Sequence, residues 1–325
     1  MYHSKWIRIL VAAFSLMMMS ISGMLVGNVA LAYSQGDGYS PRAACIQPPT
    51  NIDLTTLTDE QLAQYDLPRR PAGTQALQEW TYAIRHAKHH VCTAKKLSIH
   101  HTSQESFSNW AGNIAIGGGY QEVQGHWYVP CLSSSPSNGS SSFWVGMGGD
   151  NNDGGGNLPQ AGTDGLIING ATQYYAWVEN YPNVETTVPF DVNCGDYMYG
   201  QADSNYSKSG QALTYIEDDS PGNGNYYGVY STYTSNGSTA EWIAERLELF
   251  NVNDPPLADF GQMSFYSAAT THKGSFQYVG QTTHNYAFMC QGGLWTCGTF
   301  STVLAEPGAI VNSGHDFPLY WKACC

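Results

Sequence analysis

Tyr226-Tyr227-Gly228-Val229-Tyr230-Ser231-Thr232-Tyr233 is followed, after Thr234-Ser235-Asn236-Gly237-Ser238-Thr239, by Ala240-Glu241-Trp242-Ile243-Ala244-Glu245. Two short runs of aromatic and β-branched residues flank a cluster of turn formers. Such side chains fit the pleated surface of a strand, and Asn-Gly among hydroxyl residues reverses a chain. The pattern extends in both directions, through Val123–Pro130, Phe143–Val145, Leu166–Ile168, Gln173–Glu179, Gln211–Ile216 and Met263–Tyr266. No long apolar stripe of helical period follows Ser106. Many short strands with frequent turns predict an all-β sandwich or barrel over residues 106–325.

Composition agrees. Only 12% of the 325 residues are charged, while 42% are hydrophobic, and Tyr (22) and Trp (9) are abundant. This excludes a disordered chain and a coiled coil. The net charge of −13 excludes a basic nucleic-acid-binding face. Residues 106–325 hold 19 acidic residues against four basic ones, Lys208, Arg246, Lys273 and Lys322. Once its carboxylates are protonated, such a body carries little positive charge and escapes the self-repulsion that unfolds most proteins in acid.

The N-terminus has Lys5 and Arg8, then an uncharged run from Ile9 to Ala32 ending Ala30-Leu31-Ala32. This predicts a signal peptide over residues 1–32, hence a secreted protein, with no membrane contact after its removal. Residues 33–105 carry seven bases, seven acids and five of the ten histidines, and read as a propeptide. Thr58 and Gln61 form a capping-box pair that starts a short helix. Leu77, Trp80, Ile84, Ala87 and Val91 form one stripe of a second. Eight cysteines in an exported chain predict disulfides; Cys290 and Cys297 could close a hairpin loop, and Cys324 and Cys325 each pair elsewhere.

No serine-nucleophile elbow, phosphate loop, zinc-binding His-Glu-x-x-His or Asp-Thr-Gly motif is present. No metal or other cofactor is expected. Carboxylates and amides on strands remain. By the strand period of two, Glu241 and Glu245 share a face with Ile243 between them.

Seven motifs then occur in order: Ser108-Asn109-Trp110-Ala111-Gly112, Gly125-His126-Trp127-Tyr128-Val129-Pro130, Phe143-Trp144-Val145-Gly146-Met147-Gly148-Gly149, Pro159-Gln160-Ala161-Gly162, Tyr175-Ala176-Trp177-Val178-Glu179-Asn180-Tyr181-Pro182, Ala240–Glu245 and Asp259–Phe265. Together they resemble the eqolisins, the glutamic peptidases. The resemblance implies a sandwich of two large antiparallel sheets, lectin-like in layout. It implies an acid endopeptidase acting on polypeptides. A monomer is expected, and the basic, His-rich segment around Arg85–His101 is expected to dock on the acidic body as an inhibitory propeptide, released by self-cleavage near residues 95–107. The resemblance also implies a catalytic dyad of Gln160 and Glu245, with Trp144, Glu179, Trp242 and Glu241 contacting substrate. Glu245 would take a proton from water and return it to the leaving amine, while Gln160 orients the water and donates to the oxyanion. Two positions depart from the fungal members, where Gly148 and Tyr175 are acids.

Two other readings compete. A non-catalytic carbohydrate-binding sandwich would use the aromatic rings but would not need Gln160. A glycoside hydrolase would need Glu241 and Glu245 to flank one bond at ~5–9.5 Å. Residues four apart on a strand lie ~13 Å apart at Cα, which disfavours it.

Overall fold

The computed structural model describes residues 52–58, 61–62, 70, 77 and 81, and then 102–324 apart from 134–137, 151–155, 207–209, 233, 248–255 and 292–301. The expected signal peptide, nearly all of the expected helix over 77–91 and the His-rich stretch to His101 lie outside these residues.

The body is built from strands, as expected. In chain order they are β1 (Thr102–Phe107), β2 (Trp110–Ala115), β3 (Tyr120–Tyr128), β4 (Gly139–Met147), β5 (Leu158–Ile168), β6 (Ala171–Tyr181), β7 (Thr186–Thr187) and β8 (Tyr197–Tyr206). Then come β9 (Gln211–Asp218), β10 (Tyr226–Ser231), β11 (Ala240–Glu245), β12 (Gln262–His272), β13 (Ser275–Tyr278), β14 (His284–Gln291), β15 (Thr302–Pro307) and β16 (Phe317–Trp321). One hydrogen-bonded path runs β10-β9-β8-β3-β12-β16-β15-β14-β2-β11-β4-β5-β6-β7. All pairs are antiparallel except β1 with β14.

The path doubles back on itself. Strands β3, β8 and β9 pack face to face on β4, β5, β6 and β11, so the continuous sheet makes two layers. Strands β16, β15 and β14 carry the hydrogen bonding from one layer to the other. Between the layers lie Val123, Trp127, Met198, Ile216 and Phe265 from one side and Phe143, Val145, Ala161, Val178 and Trp242 from the other. Buried indoles need acceptors. Trp127 Nε1 donates to Thr163 Oγ1 across the core at 2.8 Å, and Trp242 Nε1 donates to the Gln124 carbonyl at 2.8 Å.

Strand β10 alternates exposed and half-buried, whereas β4 is buried along its whole length. The outer face of β4 is therefore covered as well. A second apolar cluster lies there, made of Ile114, Trp144, Leu158, Trp177, Ile243 and Ala287 with Phe107 and Trp110 against it.

Cys131 and Cys194 form a disulfide joining the end of β3 to the approach to β8, and Cys290 and Cys324 are also disulfide-bonded. The capping box expected at Thr58 is formed: Gln61 N donates to Thr58 Oγ1, and Thr58 N to Gln61 Oε1. Leu54, Leu57 and Leu62 of this leader segment are buried against Tyr128, Tyr197, Tyr266 and the Cys131–Cys194 bridge. Arg70 ties the segment together by donating to the carbonyls of Thr55 and Leu57. The expected boundary at residue 105 falls inside β1, which starts at Thr102 and pairs with β14.

Candidate active site

Register arranges the outer face of the second layer in rows. Paired residues share a face, and successive rows are two residues apart along each strand. One row reads Glu241, Gly146, Gln160, Glu179 across β11, β4, β5 and β6. The next reads Ile243, Trp144, Gly162, Trp177, and the third Glu245, Ser142, Asp164, Tyr175. Glu241 and Glu245 share this face, as their spacing predicts. Gln160, Glu179 and Trp144 join them.

Glu245 is part-buried and held from two sides. Asn109 Nδ2 donates to Oε1 at 2.9 Å, and Trp144 Nε1 donates to Oε2 at 2.8 Å. Burial pushes its carboxyl up to about 7; the Trp144 and Trp110 indoles and Asn109 pull it back, and Asp164 adds to the rise. Trp144 is fully buried, with Trp110 against its edge, and acts here as a hydrogen-bond donor to Glu245.

Gln160 is 7% exposed, and its Nε2 donates to Glu179 Oε2. Its Oε1 is buried without a partner, which leaves one strong acceptor unsatisfied. Burial raises the Glu179 carboxyl, Gln160 lowers it, and Asp164 raises it again. Asp164 is buried and accepts from Trp177 Nε1 at 2.6 Å. Burial lifts it to about 6 against the hydrogen bonds of Ser142, Tyr175 and Trp177. Neither Asp164 nor Asn109 was marked by the sequence reading. Asn109 lies in a quoted motif but outside a strand, where period gives no direction.

Glu241 is fully buried. Its Oε1 accepts from the Gly149 N–H at 3.0 Å and from the Thr239 hydroxyl, while Oε2 has no partner. It anchors the start of the Gly-rich loop after β4 to the middle of the sheet. Burial drives its carboxyl up to about 8, with Asp150 contributing. Gly148 has φ +88° here, and a Cβ would fall 2.1 Å from Ser235 Oγ, so an L side chain at this position is strained.

Trp242 lies on the other face. It alternates with Glu241 and Ile243, so it faces the core between the layers, fully buried, with its indole donating to Gln124, and it packs the sandwich.

A model of the Peptidase A4 family matches residues 108–302. Aspergillopepsin-2 of Aspergillus niger is 30% identical over 207 residues, which cover 54% of this chain and 68% of that protein. Scytalido-glutamic peptidase, solved with a peptide-based transition state analog, superposes with a TM-score of 0.52 at 21% identity, covering 66% of this chain and 98% of its own. SCP-B, a member of the eqolisin family solved with the tripeptide Ala-Ile-His, gives a TM-score of 0.51 at 19% identity, again over 66% and 98%. The solved structures agree with the two-layer fold, and the family match spans all four strands that carry the rows. The chain belongs to the Peptidase A4 family, the eqolisins, and is a peptide hydrolase.

Proposed function

We propose that the protein is a secreted endopeptidase in which Gln160 and Glu245 cut the peptide bond on the acid side of neutrality. The observation that carries this reading is the state of the two side chains on one face. Glu245 is aimed by two N–H donors that favour its charged form, and Gln160 presents an unpaired oxygen. Glu245 takes a proton from water, whose oxygen attacks the carbonyl carbon. Gln160 Oε1 accepts the water's other hydrogen, and the second N–H of Nε2, not used by Glu179, donates to the oxyanion. Glu245 then returns its proton to the amine nitrogen as the C–N bond breaks. Register offsets the two residues by four positions along the strands with Trp144 between. Four positions span about 13 Å at Cα, so sharing one water requires the two side chains to lean toward each other over Trp144.

A second assignment has an observation in its favour. Glu241 stands level with Gln160 across Gly146, and its Oε2 is also buried without a partner. Full burial and the commitment of its other oxygen to Gly149 make it the poorer base. Hydrolysis of denatured casein, with pepstatin added to silence aspartic peptidases, separates the two. Loss of turnover in Glu245→Gln with turnover kept in Glu241→Gln supports the dyad. The reverse pattern moves the base to Glu241. No cleavage by processed wild type defeats the peptidase reading for this chain and favours a carbohydrate-binding sandwich.

The leader is read as an inhibitory propeptide over residues 33–105. Support comes from its basic residues opposite an acidic body and from the leucines at 54, 57 and 62 seated on it. A precursor as active as a chain beginning at Thr102 would remove this role.

A further inference from the structure

Four leucines of the leader meet one patch of the body. Leu54, Leu57 and Leu62 are buried in a cluster with Tyr128, Tyr197, Tyr266 and the Cys131–Cys194 bridge, and Leu77 packs against it. The segment carries its own hydrogen bonds. Asp53 Oδ1 accepts from Thr55 N at 3.0 Å, and Arg70 Nη2 donates to the Thr55 and Leu57 carbonyls at 2.7 and 2.9 Å. Such internal bonds reduce the entropy lost when a segment docks.

Strand parity places the patch. Trp127, Met198 and Phe265 point between the layers. Tyr128, Tyr197 and Tyr266 are each one position away, so they face outward from β3, β8 and β12. Register pairs Tyr128 with Tyr197, and the Tyr128 ring centroid lies 4.7 Å from that of Tyr197 and 5.8 Å from that of Tyr266. The row of Glu241, Gln160 and Glu179 lies on the outer face of the other layer. The leucines and the row therefore occupy opposite sides of the sandwich. Lifting the leader away would uncover Tyr128, Tyr197 and Tyr266, all buried here, as one aromatic patch beside the disulfide.

We propose that the outward face of β3, β8 and β12, around Tyr128, Tyr197 and Tyr266, is a docking site that keeps hold of the leader's leucines after the chain is cut between Leu77 and Thr102. The leader then persists as a separate chain on the side away from the row. The inference rests on the proposed cleavage of the leader, and not on Gln160 or Glu245. Its contact is apolar. Burial of apolar surface is not screened by salt, unlike attraction between basic residues and carboxylates.

The test uses the full chain with a C-terminal tag and a site for a sequence-specific protease in place of residues 95–98. The added protease makes the cut, so the result stands whether or not the chain hydrolyses peptides. After the cut, the leader piece should stay on the captured body through a wash in about 1 M salt. Leu57→Asp with Leu62→Asp puts charge into the cluster and should lower retention by about tenfold or more. Tyr266→Asp on the body should do the same. Ile168→Asp, at an exposed position on the outer face of the other layer, should leave retention in place. A piece that washes off the wild type, or one still held in the double leucine variant, overturns the proposal; so does loss in Ile168→Asp. Should the variants fail to fold, an excess of a synthetic peptide of residues 51–78 must displace the leader piece from the cut wild type, and failure to displace it overturns the proposal.

Discussion

Trp144, on the strand next to β11, donates its indole N–H to Glu245 Oε2 over 2.8 Å. The ring itself is fully buried, so its contribution to the site is that single hydrogen bond and the wall behind it. Trp144→Phe keeps the wall and removes the donor. The donor favours the charged carboxylate, so its loss raises the Glu245 pKa further above about 7. The acid limb of kcat/KM should move to higher pH by about one unit, with a smaller change on the alkaline side. An unmoved limb would separate the tryptophan from the base.

Glu179 holds the amide of Gln160 by accepting from Nε2. Glu179→Ala frees that amide to rotate. With Gln160 in its proposed role in the transition state, kcat should fall by roughly ten- to a hundredfold. Titrating neutral peptides under single-turnover conditions checks that the loss is in the chemical step. A change confined to KM would make Glu179 a substrate contact only.

The buried carboxyls also set how stability depends on pH. Glu241 and Glu185 are raised to about 8, Glu245 to about 7 and Asp164 to about 6. A carboxyl whose folded pKa lies above its unfolded value binds its proton more tightly in the folded state. Its stabilising effect is complete below the unfolded pKa, about 4, and fades as pH rises toward the folded one. The protein should therefore melt at a higher temperature near pH 4 than near pH 8, by an amount on the order of a few kcal/mol in unfolding free energy. Glu241→Gln, which is neutral at every pH, should flatten the curve on its alkaline side. A melting temperature that climbs with pH would contradict this account.

These values also bound the working range. Ionised Glu245 becomes scarcer below about pH 7, while the fold gives up stability as Glu241 is deprotonated toward about pH 8. Activity on a neutral peptide should peak in mild acid, between the pH of greatest stability and neutrality. An optimum below about pH 3 would show that bound substrate lowers the Glu245 pKa well under its value in the empty site.

Gly146 separates Glu241 from Gln160 in their row. A Cβ there would lie 2.8 Å from Trp144 Cζ3, 2.8 Å from Leu158 Cδ1 and 3.1 Å from Gln160 Cβ. One added methyl thus presses on Gln160 and on the ring that holds Glu245. Gly146→Ala should cut turnover by tenfold or more while circular dichroism stays that of the wild type. Full activity would mean that the site tolerates displacement of both groups.

Much of this was legible in the residues. Short aromatic runs between Gly/Asn/Ser clusters give the all-β fold, and the period of two puts Glu241 and Glu245 on one face. The same period sets Trp242 on the opposite face, which is the signal that it belongs to the core. The motif had grouped it with its neighbours. Asp164 was not reached because its place depends on which strands pair and in which register. Hydrogen-bond register between distant segments leaves no local trace in composition. Glu241 could be placed on its face but not tied to Gly149, since that contact joins positions 92 residues apart.

Because β16, β15 and β14 stitch the layers together along one side, the sandwich resembles a folded page with a crease and two lips. The lips are β10 and the two-residue β7, each with a neighbour on one side only. Opening costs least there, so amide protons of the lips should exchange first and those of the crease last. Glu185, beside β7, sits on a lip. The row of Glu241, Gln160 and Glu179 thus runs from the well-anchored middle of the sheet toward its most yielding margin.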